Sequence, residues 1–166
     1  MIGIVFSKVI SGGQTGADRA ALDLALELSI PCGGWCPKGR RAEDGAIDPK
    51  YPLKETKSAQ YLFRPEANVM EADGALILTS GTPTGGTAFT IEIALEHKRP
   101  YWVIDLKRNP NPSVVRDWAN MLKIGFQNVA GPRETKIPGI YGKAKNLLKS
   151  ILVGNELAED YQQEGF

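Results

Sequence analysis

Short apolar runs that stop on glycine and lead at once into an amphipathic stretch constrain this chain more than any other feature. Ile2 to Ile10 is rich in β-branched residues and halts at Ser11-Gly12-Gly13, which predicts a buried strand. Ala17 to Leu28 then spreads Ala20, Ala21, Leu22, Leu24, Ala25, Leu26 and Leu28 over a wide apolar face, as a helix pressed on a sheet requires. Pro31 ends that helix, and a short strand from Pro31 to Trp35 is expected. The succession resumes at Ser58 with a helix to Glu71, a strand Gly74 to Thr79 stopping at Ser80-Gly81, a helix Thr87 to His97 and a strand Tyr101 to Leu106. Asn109 to Pro112 reads as a turn, with Ser113 as N-cap of a helix to Lys123. A short strand, Gly125 to Val129, and a helix from Gly139 to Leu152 complete the pattern. Such alternation predicts a single Rossmann-like three-layer α/β/α domain over residues 1–152, with a mostly parallel sheet of about five strands. Residues 153–166 form an acidic C-terminal tail.

Open sheets of this class bind ligands beyond the carboxyl ends of their strands, near the topological switch point. Both glycine clusters fall at such ends. The first, Ser11 to Asp18, offers Gly12, Gly13, Gln14, Thr15 and Gly16 at a helix start, where backbone N–H groups and the helix dipole favour an anion. The second offers Ser80, Thr84, Gly85, Gly86 and Thr87 in the same setting. Each cluster has two readings, a phosphate cradle or a tight structural turn, and the repetition favours the cradle. Neither matches a standard fingerprint. Ser11 stands where G-x-G-x-x-G has its first glycine, and no Lys-Ser/Thr pair follows Gly16, so P-loop hydrolysis of a nucleoside triphosphate is disfavoured.

The rest of the composition narrows the partners. A formal charge of +1 over 166 residues gives no support for nucleic-acid binding. No apolar run approaches the roughly 18 residues of a membrane span, and the N-terminal residues lack a secretory signature. With two cysteines there is no disulfide framework, so a cytoplasmic location is expected.

Pro37 to Lys57 shows neither helical nor strand period, which marks a functional loop or lid. Seven basic residues against four acidic ones lie between Lys38 and Arg64, and Lys38, Arg40 and Arg41 flank Gly39 beside Trp35. This is a cationic cover over an anionic ligand or a solvated charge run. Arg133, past the last strand, is a bidentate phosphate clamp or a surface charge. Cys32 and Cys36 miss the C-x-x-C spacing and lack a second pair, so no protein-only metal site is expected. His97 is the sole histidine, near a helix C-terminus where it caps. Acid–base chemistry therefore falls to carboxylates, with Asp18 and Glu92 the candidates beside Asp44 and Asp73.

Four stretches together resemble a known family: Ser11-Gly-Gly-Gln-Thr-Gly-Ala-Asp-Arg-Ala-Ala-Leu-Asp23, Gly33 to Gly45, Thr84-Gly-Gly-Thr87 and Val129-Ala-Gly-Pro-Arg-Glu134. They look like the putative molybdenum carrier family, the circularly permuted YpsA-like branch of the SLOG superfamily that also includes DprA and the Lonely Guy proteins. The resemblance implies a Rossmann-like fold, self-association as dimer or tetramer, and a pterin-phosphate or nucleotide-like ligand, with molybdenum cofactor as the named cargo. Lonely Guy enzymes use a P-G-G-x-G-T-x-x-E loop and a separate arginine. Here Gly86-Thr87 aligns with the G-T, Thr90 stands where the glutamate belongs, and Arg64 is the arginine available. Glu92 lies two residues on, turned away by about 100° per residue, which disfavours phosphoribohydrolase activity. The expected function is a non-catalytic carrier or sensor of molybdopterin-type cofactor or a related nucleotide. The rivals are a hydrolase of nucleotides or nucleotide sugars with Asp18 or Glu92 as base, and a metabolite-gated interaction module.

Overall fold

The computed structural model describes residues 6–57 and 63–153. Residues 2–5 of the expected first strand, 58–62 of the expected second helix and 154–166 of the tail lie outside them. Five strands form the central sheet: β1 (Lys8–Ile10), β2 (Cys32–Gly33), β7 (Gly74–Thr79), β8 (Tyr101–Asp105) and β9 (Phe126–Ala130). Every pairing among them is parallel, and the order across the sheet is β2-β1-β9-β7-β8. The chain steps outward from β1 to β2 on one side and from β7 to β8 on the other. The last strand, β9, is then inserted between β1 and β7. The switch point therefore lies at the carboxyl ends of β1, β9 and β7.

Among the described residues five helices cover the sheet: α1 (Ala17–Glu27), α2 (Phe63–Glu71), α3 (Gly85–Glu96), α4 (Pro112–Met121) and α5 (Ile140–Val153). Helices α1, α4 and α5 share one layer, where Ala20, Leu24, Val115, Ala144, Leu148 and Ile151 bury against Val9, Leu76, Leu78 and Val129. Helices α2 and α3 form the other, around Val69, Ile93 and Ala94. Strand β7, Gly-Ala-Leu-Ile-Leu-Thr, is buried at all six positions, as a parallel strand covered on both faces must be. This is the α/β/α architecture expected from the alternation.

Three local expectations are revised. Asn111, not Ser113, caps α4: its side chain accepts from Ser113 N at 3.0 Å, and Pro112 takes the first turn. Pro at that position forfeits an N–H that the helix does not use. The strand expected from Pro31 to Trp35 divides at Gly34 into β2 and β3 (Trp35–Cys36). The stretch Pro37 to Lys57 is structured. It carries β4 (Arg41–Ala42) paired with β5 (Gly45–Ala46), and β6 (Lys54–Glu55) paired in parallel with β3. Ile47, Tyr51 and Leu53 bury with Leu22 and Cys36 in a small core of their own. Among the described residues no helix is long and apolar enough to cross a membrane.

Candidate functional site

A cleft of about 290 Å³ opens at the switch point. Its floor is the end of β9, from Asn128 to Arg133, and Gly12, Gln14 and Asp18 line the β1 side. Arg64, Pro65 and Asn68 of α2 face Gly85, Gly86, Thr87 and Thr90 of α3, with Lys136 at the rim.

The two glycine loops contribute unequally. In the second, Thr79 Oγ1 donates to Gly81 O at 2.8 Å and Gly81 N donates to Asp105 Oδ1 at 3.0 Å. These bonds fix the exit of β7. Helix α3 then begins behind Thr84, an extended N-cap residue whose side chain makes no cap bond. The first N–H groups of a helix have no partner within it, and here Gly85, Gly86 and Thr87 bring them to the cleft. Lys136 Nζ lies 3.2 Å from where a Gly85 Cβ would sit, so a cation stands over the same helix end. Thr90 Oγ1 donates back to Gly86 O at 2.9 Å.

The first loop is largely occupied by protein. Gln14 N donates to Asp18 Oδ2, Thr15 N to Gln14 Oε1, and Ala17 N to Pro132 O. Gly16, at φ 81°, would bring a Cβ to within 2.8 Å of Glu134 N and 2.9 Å of Arg133 C. Its missing side chain lets two loops touch, rather than a ligand approach. Thr15 Oγ1 binds Glu43, as does Thr135 Oγ1 at 2.6 Å, and Arg133 Nε lies 3.9 Å from the same carboxylate. Desolvation works to raise the Glu43 carboxyl, but the Thr135 and Thr15 hydroxyls outweigh it and leave the group below the ordinary glutamate range. Arg19 bonds Gly13 O and pairs with Asp44 at 2.9 Å. The long loop thus reaches the first glycine loop through its acids. Changing Glu43 to glutamine should loosen this junction, giving faster amide hydrogen exchange at Thr135, whose N–H donates to Glu43 Oε1 at 3.2 Å. Unchanged exchange there would show that the junction does not depend on the carboxylate.

Of the residues singled out from sequence, the cleft gathers Gly12, Gln14, Asp18, Arg64, Gly85, Gly86, Thr87 and Arg133. Gly13, Thr15, Gly16, Ser80 and Thr84 are not among its lining residues, nor are Lys38 and Arg41, which are exposed. Arg40 is a scaffold residue: its guanidinium donates to the carbonyls of Ile47, Asp48, Tyr51 and Leu53. Glu92 is exposed and outside the lining. His97 is the C-cap residue of α3, and its Nε2 pairs with Glu66 Oε1 at 2.9 Å. Asn68, Asn128 and Lys136 were missed. A Gln-Asn pair inside a short strand that needs apolar residues on both faces was the available signal for Asn128.

Among the described residues Asp18 is the one carboxylate in the lining, and it is 7% exposed. Burial raises its pKa to about 6, against the pull of Arg64, the Gln14 N–H and Arg19. Arg64 is 8% exposed. Among the described residues no cluster of three or more His, Cys, Asp or Glu is placed to hold a metal ion.

A five-stranded parallel sheet in the order β2-β1-β9-β7-β8, with a cleft at its switch point, defines a Rossmann-like α/β protein. Residues 9–152 match the model of the circularly permutated YpsA SLOG family, and the chain belongs to that family. It is also similar to the crystal structure of a putative molybdenum carrier protein from Syntrophus aciditrophicus SB. The two share 43% sequence identity over 90% of this chain and 96% of that one, with a TM-score of 0.87. No curated protein matches it.

Proposed function

We propose that the cleft binds a phosphate-bearing pterin or nucleotide-like ligand and that the protein is a non-catalytic carrier or sensor of it. The relative is named for carrying molybdenum, and molybdenum cofactor, whose pterin bears a phosphate, is the occupant proposed. The observation that carries this reading is convergence: the uncapped start of α3 meets Arg64, Arg133 and Lys136 around one cleft, against the single carboxylate of Asp18. Helix N-termini and guanidinium groups are the donors that phosphate oxygens take. Gly85, Gly86 and Thr87 would hold the phosphate, with Lys136 and Arg133 closing over it. When molybdopterin is the ligand it supplies the metal-binding chemistry itself, and the protein contributes retention and shielding from water. Self-association as a dimer or tetramer is part of the proposal and is read by sedimentation velocity.

Thermal shift against molybdopterin, inorganic phosphate and a nucleotide panel tests the site. A true ligand at about a hundredfold over its Kd adds about 2.7 kcal/mol to stability. Gly86→Asp, which sets a carboxylate at the helix start, should abolish the shift, and Arg133→Ala should weaken binding about tenfold. If no phosphate compound raises the melting temperature, or Gly86→Asp leaves the shift intact, the reading fails.

A hydrolytic reading has one observation in its favour, the Asp18 carboxyl held near pH 6, where a general base works best. Its test is turnover of a nucleoside monophosphate panel, abolished by Asp18→Asn.

A further inference from the structure

Two buried side chains of the cleft have no role in holding a phosphate. Asp18 is a carboxylate and repels one. Asn128 is 2% exposed. Alternation along β9 sets the Asn128 side chain on the face opposite Gln127 and Val129, and Asn128 belongs to the cleft lining. Gln127 uses its amide to donate to Asn128 O at 3.0 Å. Among the described residues no side-chain hydrogen bond of Asn128 is made to protein, and its carboxamide is not one of the orphaned buried groups, so it is open to the cleft and available to a ligand there.

The chemistry of the pair says what kind. A phosphate offers acceptors only. An ionised carboxylate needs donors, and an amide beside it can donate to a carbonyl. The structure assigns Asp18 and Asn128 to recognition of a 2-amino-4-oxopyrimidine edge. Asp18 would accept the ring N–H and the exocyclic amino N–H, and Asn128 would donate to the ring carbonyl. Pterins and guanine share that edge. Adenine presents a bare ring nitrogen where Asp18 needs a donor. This inference rests on the phosphate reading above and adds the ring to it.

Two further features are consistent with the assignment. Gly12 lies against both members of the charged pair. A Cβ there would stand 3.1 Å from Asp18 Oδ2 and from Arg64 Nε, so glycine leaves the carboxylate open to the cleft. Arg64 beside Asp18 lowers its pKa against burial, which favours the ionised, acceptor-only form at neutral pH. A cleft of about 290 Å³ sits at the small end of ligand sites, sized for a ring and one phosphate rather than a dinucleotide.

Titration calorimetry at pH 7.5 with inorganic phosphate, AMP, IMP, GMP and dihydroneopterin phosphate tests it, with thermal melts confirming that each variant is folded. GMP or the pterin phosphate should bind at least about tenfold more tightly than AMP, with IMP, which lacks the amino group, between them. Whichever of the two binds more tightly names the source of the ring. Asp18→Asn should erase the preference by weakening GMP and the pterin phosphate, with AMP and inorganic phosphate binding no more weakly than to wild type. Asn128→Ala should weaken the oxo compounds GMP, IMP and the pterin phosphate while leaving AMP within about twofold. Equal affinity for AMP and GMP overturns the assignment and leaves the phosphate site standing. So does uniform weakening of every phosphate compound by Asp18→Asn, which would make Asp18 a positioning residue for Arg64. Failure of all five compounds to bind overturns the phosphate reading and this inference together.

Discussion

Replacing Gly34 by alanine should remove about 3–5 kcal/mol of stability, a large share of what holds a domain of this size folded. Gly34 sits at φ 132°, a conformation L side chains rarely adopt. A Cβ there would drive into Ser11 O and lie 2.9 Å from both Ser11 N and Asn68 Oδ1. Two of those three atoms are backbone and cannot swing aside. The crossing is also crowded with bonds. Ser11 N donates to Gly33 O at 3.0 Å, Lys54 N to Gly34 O at 2.9 Å, and Trp35 N to Asn68 Oδ1 at 2.7 Å. Relief of the clash therefore breaks the junction where β2, β3 and the first glycine loop meet. At about 2–4 °C per kcal/mol for this length, the melting temperature should fall by about 6–20 °C. Gly45→Ala is the control, because that glycine has φ 112° but nothing within 4 Å of its Cβ position. It should cost only about 1 kcal/mol of backbone strain. Equal losses for the two variants would show that conformation, not the close approach, is what Gly34 provides.

The same junction shows what the sequence could and could not reveal. Alternating strands and helices were legible because burial imposes period and length on them: β7 and α1 differ from expectation by at most a residue. Gly34 was hidden inside an apparent strand, since its role is set by Ser11, far away in sequence. Both loops announced themselves through glycine content, but glycine serves a close approach of protein to protein as readily as of protein to ligand. Gly16 meets Pro132 and Glu134, whereas Gly85 and Gly86 meet the cleft. Only the three-dimensional neighbours separate these cases. The two readings of the cations of residues 38–41, cover or solvated charge run, could not be separated for a related reason. Arg40 is consumed by carbonyls of its own loop, and the loop reaches the glycines through Glu43 and Asp44. The cations that do line the cleft, Arg64, Arg133 and Lys136, come from α2 and from the segment after β9, two places no local pattern connects.

Asp18→Asn should make the protein more stable at neutral pH, by up to about 3 kcal/mol. Burial raises this carboxyl from 3.8 to about 6. The folded state therefore holds the proton more tightly than the unfolded state does. The resulting stability is fully present below about pH 4 and is lost as pH rises to about 6. Above that, the fold carries an ionised carboxylate that it would hold more cheaply neutral. Asparagine keeps the shape of the protonated acid and removes the charge. Urea melts of wild type and variant should thus coincide near pH 4, diverge between about pH 4 and 6, and run parallel above. The attraction of Arg64 and Arg19 is already counted in the shift, so their loss does not reverse the sign. A variant less stable than wild type at pH 7.5 would overturn this account and make Asp18 a structural counter-ion. A carboxylate retained against the stability of its own fold, in the lining of a cleft, is the pattern of a group kept for a ligand. Stability gained and ring preference lost in one substitution would locate that function at Asp18.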